Sequence, residues 1–113
     1  MAAMTTALTL FNTQNNYVQY SLNDHTTVEP RVVIQKRKVP SGVLGVGETS
    51  IKVVYGTTNS DGDQIAERIS FEVIVRDPVQ GLSTDRDAAL AVFRDIIAGD
   101  EFANSVGTQE WLS

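Results

Sequence analysis

The chain has 113 residues, with 9 Lys and Arg against 14 Asp and Glu for a net charge of −5, 42% hydrophobic residues and no cysteine. That size predicts one domain, 1–113, able to bury about two thirds of its unfolded surface, and the missing thiols exclude disulfides, thiol catalysis and thiolate metal sites. No apolar run approaches the roughly 18 residues of a membrane span, and MAAMTTALTLFN lacks the basic start of a signal peptide, so the expectation is a soluble protein made and kept in the cytoplasm, with no membrane partner.

The first two runs, Ala7 to Asn12 (ALTLFN) and Tyr17 to Leu22 (YVQYSL), are joined by the polar connector TQNN. Short alternating runs around an Asn-containing connector predict an N-terminal hairpin, residues 1–24. The only histidine, His25, follows in the polar run SLNDHTT, where it is expected to be an exposed loop residue and neither catalytic nor a metal ligand.

Pro30 opens RVVIQKRKV, a strand that begins in Val32, Val33 and Ile34 and ends in the basic cluster Lys36-Arg37-Lys38. That cluster reads either as a solvated, aggregation-blocking strand end or as a nucleic-acid contact. PSGVLGVG, 40–47, is a turn: its three glycines lack the lysine and hydroxyl that a phosphate loop requires, and Glu48 would repel a phosphate. Thr49 to Thr57 is the next strand, with Ile51, Val53 and Tyr55 on one face and Ser50, Lys52 and Val54 on the other. TTNSDGDQ then predicts a hairpin at Asp61-Gly62. The flanking Asp61 and Asp63 lack the further ligands of a calcium loop, and no metal site is expected.

The long stretch Gln64 to Arg76, QIAERISFEVIVR, organises the rest of the chain. Ile65, Ile69, Phe71, Val73 and Val75 fall on one side, and Gln64, Arg68, Ser70, Glu72 and Arg76 on the other. This period of two is a half-buried strand, and the long antiparallel strands together occupy 30–77. One face needs a core. The other presents Lys52 and Arg68 from neighbouring strands, a patch suited to phosphates. Tyr17, Tyr20 and Tyr55 are candidate base-stacking residues, with Tyr55 assigned to the core because it shares a face with Ile51 and Val53.

Beyond Asp77-Pro78 the period changes to 3.6, predicting two helices in 83–107. Ser83 or Thr84 is the expected N-cap of the first, with Asp85 and Asp87 in its first turn and Gly99 past its end. Ala88, Ala89, Leu90, Val92, Phe93, Ile96 and Ile97 cover an arc of about 200°, twice the stripe of a surface helix. Asp100 is expected to cap a shorter helix carrying Phe102, Ala103 and Val106 and stopped by Gly107, and Trp111 is expected to anchor the tail.

These elements make an α+β fold, an antiparallel meander with an N-terminal hairpin followed by two C-terminal helices. About five strands at 4.8 Å spacing give a sheet some 24 Å wide, whereas one helix covers about 10 Å. Half the apolar sheet face and much of the helix arc would stay wet. Both defects vanish in an interlocked homodimer in which each helix lies on the partner's sheet. The expected interface residues are Leu90, Phe93, Ile96 and Ile97 of the helix with Phe71 and Val73 of the sheet.

Charge is divided along the chain. Up to Pro30 there are only Asp24 and Glu29; from Arg31 to Arg76 the balance is +2; from Asp77 onward it is −5. Sheet and helices would therefore present a basic and an acidic side. No nucleophile, base and paired-acid constellation is present, so no catalytic residue and no cofactor is expected.

The order of elements resembles the coat proteins of single-stranded RNA bacteriophages of the levivirus type. Ser50-Ile51-Lys52-Val53 resembles that family's hydroxyl, apolar, lysine, apolar segment, and Ile69-Ser70-Phe71-Glu72-Val73 its last strand before the helices. The resemblance implies a structural, non-enzymatic protein whose dimers form an icosahedral shell in the virion, assembled in the cytoplasm of a bacterial host. A continuous sheet would line the interior, binding genomic RNA, and a dimer would also take an RNA hairpin at the replicase start; a maturation protein would be a further partner. Carried over by position, the RNA face comprises Ser50, Lys52, Arg68, Ser70 and Glu72, joined by Arg31, Val33, Gln35 and Arg37 of the third strand. The other reading is a small cellular dimeric RNA- or protein-binding module that forms no shell.

Overall fold

The computed structural model describes residues 3–113. By its internal contacts the chain divides into two compact units, the first ending at Val79 and the second running Gln80–Ser113.

The first unit is a five-stranded antiparallel sheet in simple sequential order: β1 (Thr9–Gln14), β2 (Tyr17–Ser21), β3 (Arg31–Lys38), β4 (Val46–Tyr55) and β5 (Ile69–Pro78). The expected N-terminal hairpin is β1–β2. Its turn is only Asn15-Asn16, with Asn16 at φ 59°, a left-handed conformation that asparagine tolerates better than most residues. Thr13 and Gln14, expected in the connector, extend the ladder opposite Val18 and Tyr17. A bulge between Leu10 and Asn12 leaves Phe11 out of register. Its ring meets the edge of His25 at 5.5 Å.

β4 starts three residues before the expected Thr49 and stops at Tyr55. Gly56 follows at a close crossing: its N–H donates to the Pro30 carbonyl at 2.8 Å, and a Cβ there would stand 3.0 Å from the proline ring. β5 starts at Ile69, not Gln64. The intervening residues form a separate small loop, closed by a single Thr58–Gln64 bridge and by the Asn59 side-chain oxygen accepting from the Asp61 and Asp63 N–H groups at 3.0 Å. Gly62 at its tip has φ +85°, the conformation that glycine supplies without steric cost.

The second unit contains α1 (Ser83–Ala98) and α2 (Asp100–Thr108). Neither expected cap is found. Leu82 occupies the N-cap of α1 without a side-chain bond, while Ser83 and Thr84 lie inside the first turn. Gly99, in extended conformation, closes α1 through its N–H to the Ile96 carbonyl at 3.2 Å and is also the N-cap of α2, so Asp100 is the first helical residue. α2 runs one residue past Gly107 and ends at Gln109, φ 60°. No helix among the described residues is long and apolar enough to cross a membrane.

The core of the single chain is minimal. Val32 is the one buried hydrophobic side chain among the described residues, and neither helix buries any residue. Of the helix arc, Leu90, Phe93, Ile96 and Ile97 each keep about 40% of their surface in water. Trp111, expected as an anchor, is 92% exposed.

Candidate functional site

Residues directly opposite each other in an antiparallel ladder lie on one face of the sheet. Lys52 faces Ile34 on one side and Glu72 on the other; Ser50 faces Lys36 and Ile74; Glu48 faces Lys38 and Arg76; Val54 faces Val32 and Ser70. Through β2, Lys36 continues to Tyr17 and Ile34 to Gln19. One face of the sheet therefore collects Lys36, Lys38, Lys52 and Arg76 among Tyr17, Gln19, Ser50 and Ser70, with Glu48 and Glu72 as its acids. The Glu48 carboxylate is engaged by Arg76 Nε at 3.1 Å. Three lysines on this lysine face remain to balance one Glu72, and the field above it is positive.

The opposite, apolar face holds Ile51, Val53 and Tyr55 of β4 with Ile69, Phe71, Val73 and Val75 of β5. Ile51, Phe71 and Val75 are nearly half exposed. Phe71 and Val73 thus lie where an interface was expected, on the face away from Lys52.

The register of β3 overturns part of the expected RNA face. Arg31, Val33, Gln35 and Arg37 pair with Tyr55, Val53, Ile51 and Thr49, so they belong to the apolar face. Val32, Ile34, Lys36 and Lys38 stand in their place beside Lys52. Arg68 is displaced as well: it precedes β5, just after the bend of residues 66–67, and no ladder fixes its side. Ser50, Lys52, Ser70 and Glu72 occupy the face assigned to them. Tyr17, Lys36 and Lys38, read from the sequence as candidate contacts without a face, share the face of Lys52, and Gln19, which the sequence did not single out, lies beside them.

Arg31 has a local task. Its guanidinium pairs with Asp24 and, at 3.4 Å, with Glu29, and its Cζ lies 4.0 Å from the centre of the Tyr55 ring. The Tyr55 hydroxyl donates to the same Asp24 carboxylate at 3.1 Å, and the Arg31 backbone N–H donates to His25 Nδ1 at 3.0 Å. The Arg31 hydrogen bond, opposed by partial desolvation and helped by Tyr55, holds the Asp24 carboxyl below its ordinary value; the same bond holds Arg31 still more firmly charged. His25 therefore accepts from the backbone of β3, packs against Phe11 and is half-buried, where an exposed loop side chain was expected. The cluster ties residues 22–31 to the end of the sheet.

At the other end, the Asn15-Asn16 turn leans on β3: Arg37 donates from its backbone N–H to the Asn16 carbonyl and from Nε to Asn16 Oδ1, both at 3.1 Å. Beside this wall lies a concavity of about 350 Å³, bordered by Tyr17, Lys36, Lys38 and Ser50. No group of three or more His, Asp or Glu able to hold a metal occurs among the described residues.

No family model and no curated protein matches the sequence. Solved structures do match the fold. A chain of the virus-like particle of Wenzhou levi-like virus 4 superposes at TM-score 0.80 with 16% identity, over 96% of this chain and 79% of that one. The virus-like particle of Beihai levi-like virus 32 gives TM-score 0.78 and 14% identity over 96% and 90%. That of bacteriophage GQ-907 gives 0.75 and 13% over 98% and 87%. At such identities the likeness is one of fold: a five-stranded meander followed by two helices is shared along nearly the whole chain.

Proposed function

We propose that the chain is a structural, non-enzymatic capsid protein of a single-stranded RNA phage, whose dimers assemble into an icosahedral shell and hold genomic RNA against the lysine face of the sheet. The observation that carries this reading is the end-to-end likeness in fold to chains of levi-like virus-like particles. Two features of the chain agree with it. Burial inside one copy stops at Val32, leaving the α1 arc and the Phe71 face for a second copy. β5 is an edge strand of ten residues whose single proline is its last, so two copies can join edge to edge into one sheet of ten strands.

In such a dimer the α1 of each copy lies on the apolar face of the other, Leu90, Phe93, Ile96 and Ile97 meeting Phe71 and Val73. The single coat domain, 1–113, is then completed by its partner. With helices on that side, the lysine face looks into the shell. Ser50, Lys52, Ser70 and Glu72, with Lys36 and Lys38, meet RNA there, and an RNA hairpin at the replicase start would bind the same surface. A maturation protein would be a further partner in the virion.

Phosphate contacts by lysines give binding a steep salt dependence, each contact adding about 0.7 to the slope for a single strand. The test is electron microscopy of the recombinant protein with the 260/280 nm absorbance ratio of the same fraction. Uniform shells rich in nucleic acid are expected, and the triple change Lys36→Ala, Lys38→Ala, Lys52→Ala is expected to lower RNA content while dimers persist. A nucleic-acid-free dimer at modest salt would instead favour a cellular binding module that forms no shell.

A further inference from the structure

The run Val39 to Gly47, which joins β3 to β4, holds no Asp, Glu, Lys or Arg and stands past the last row of that ladder, Lys38 opposite Glu48. Within it the Gly45 N–H donates to the Gly42 carbonyl at 3.0 Å, closing a turn whose two central residues are Val43 and Leu44. Neither has a positive φ, so the polar or small residues that usually fill these places would serve the backbone as well. Instead two aliphatic side chains occupy the tip, Val43 69% and Leu44 84% exposed. The turn is also anchored. The Gly45 carbonyl accepts from the Val79 N–H at 3.1 Å, and a Cβ on Gly45 would stand 3.0 Å from the Pro40 Cβ, so glycine lets the proline ring close against the turn. Val39, Val46 and Val79 around its base are exposed too. Five aliphatic residues in water at one end of one sheet, two of them on the tip of an anchored turn, mark a contact surface.

We propose that the Val43-Leu44 tip is a contact between dimers, docking on an apolar surface of another copy of the chain. This contact rests on the capsid reading above and names a surface that joins one dimer to the next. A charge-free tip offers nothing to RNA phosphates or to an oppositely charged protein surface. It lies outside the β5 edge and the Phe71 and Val73 rows that would complete one dimer, and so is free for a neighbour. Every copy presents one such tip, and in a shell the partner present in equal number is another copy. Wherever symmetry brings identical residues together, like charges would repel one another; Val43 and Leu44 carry no such cost.

The chain has no cysteine, so Leu44→Cys places a single thiol on the tip. Assembled as a minor fraction within wild-type shells, that variant is expected to lose its reaction with a maleimide dye, which labels it readily in free dimers. The double change Val43→Ser, Leu44→Asn introduces residues that a turn accepts. It is expected to give dimers of unchanged size and circular dichroism, while light scattering shows shells first appearing at a dimer concentration at least roughly tenfold higher, the effect of one lost aliphatic contact. Ser41→Ala, in the same connection, leaves that threshold in place. A thiol labelled as fast in shells as in dimers, or a double variant that assembles at the wild-type threshold, overturns the contact while the capsid reading stands. Should the double variant yield no folded dimer, the thiol decides alone. A wild-type protein that forms nothing larger than a dimer removes the capsid reading itself, and the contact with it.

Discussion

Phe93 gives the sharpest test of the interlocked dimer. It sits on α1 with 43% of its surface exposed, in a helix that buries no residue of its own chain. A phenylalanine side chain offers about 200 Å², so about 85 Å² per copy, or about 170 Å² in a two-fold interface, is available to a partner. At about 25 cal/mol per Å² that surface contributes about 4 kcal/mol. Phe93→Ala keeps a small part of it, and a net loss of about 3 kcal/mol raises the dimer dissociation constant about 150-fold. Sedimentation velocity across a concentration series measures the constant, and far-ultraviolet circular dichroism checks that the helices persist. Because the ring is not buried within its own chain, a truncation there acts on association more than on folding. Asp95→Ala, two residues along the same helix, is the polar control. A dissociation constant moved no further by Phe93→Ala than by Asp95→Ala would refute the placement of α1 against a second copy.

Two further outcomes follow from the Arg31 cluster. Arg31→Ala should leave the salt slope of RNA binding unchanged, because that guanidinium lies on the apolar face and is engaged by Asp24, Glu29 and Tyr55; thermal stability should fall in the same variant. Asp24 has its folded pKa depressed below 3.8, chiefly by Arg31, so its stabilisation is fully present above that value and is lost as pH falls through the lower folded value. Urea midpoints of wild type and Asp24→Asn should therefore differ at neutral pH and converge as pH drops from 4 toward 2, and a gap that stayed constant would contradict the assignment.

Much of the fold was legible because its periods are clean. β5 alternates from Ile69 to Arg76 with Ile74 the one apolar residue on the polar side, and α1 carries its apolar residues at helical spacing over about three turns. The phase of β3 was not legible. Val32, Val33 and Ile34 are apolar at three successive positions, so the strand's own pattern does not say which parity faces Lys52, and a one-residue difference moves every side chain to the other face. That single step takes Arg31, Gln35 and Arg37 off the face of Lys52 and puts Lys36 and Lys38 on it. Arg31 carried a second ambiguity: its charge is answered by Asp24, seven positions earlier in a loop whose path no local pattern fixes. The helix starts failed for another reason. Ser83, Thr84 and Asp100 are all good caps, but the chain enters each helix one residue earlier, at Leu82 and Gly99, and their side chains fall inside the first turn.

The acidity of the chain, −5 overall, stands against RNA binding only if charge is averaged over the molecule. It is not averaged. The lysine face carries Lys36, Lys38, Lys52 and Arg76 against Glu48 and Glu72, while Arg31 on the other face is answered by Asp24 and Glu29. The helical unit adds Asp85, Asp87, Asp95, Asp100, Glu101 and Glu110 against Arg86 and Arg94. At physiological salt a charge acts over about 8 Å. A strand lying on the lysine face would therefore respond chiefly to the lysines beneath it.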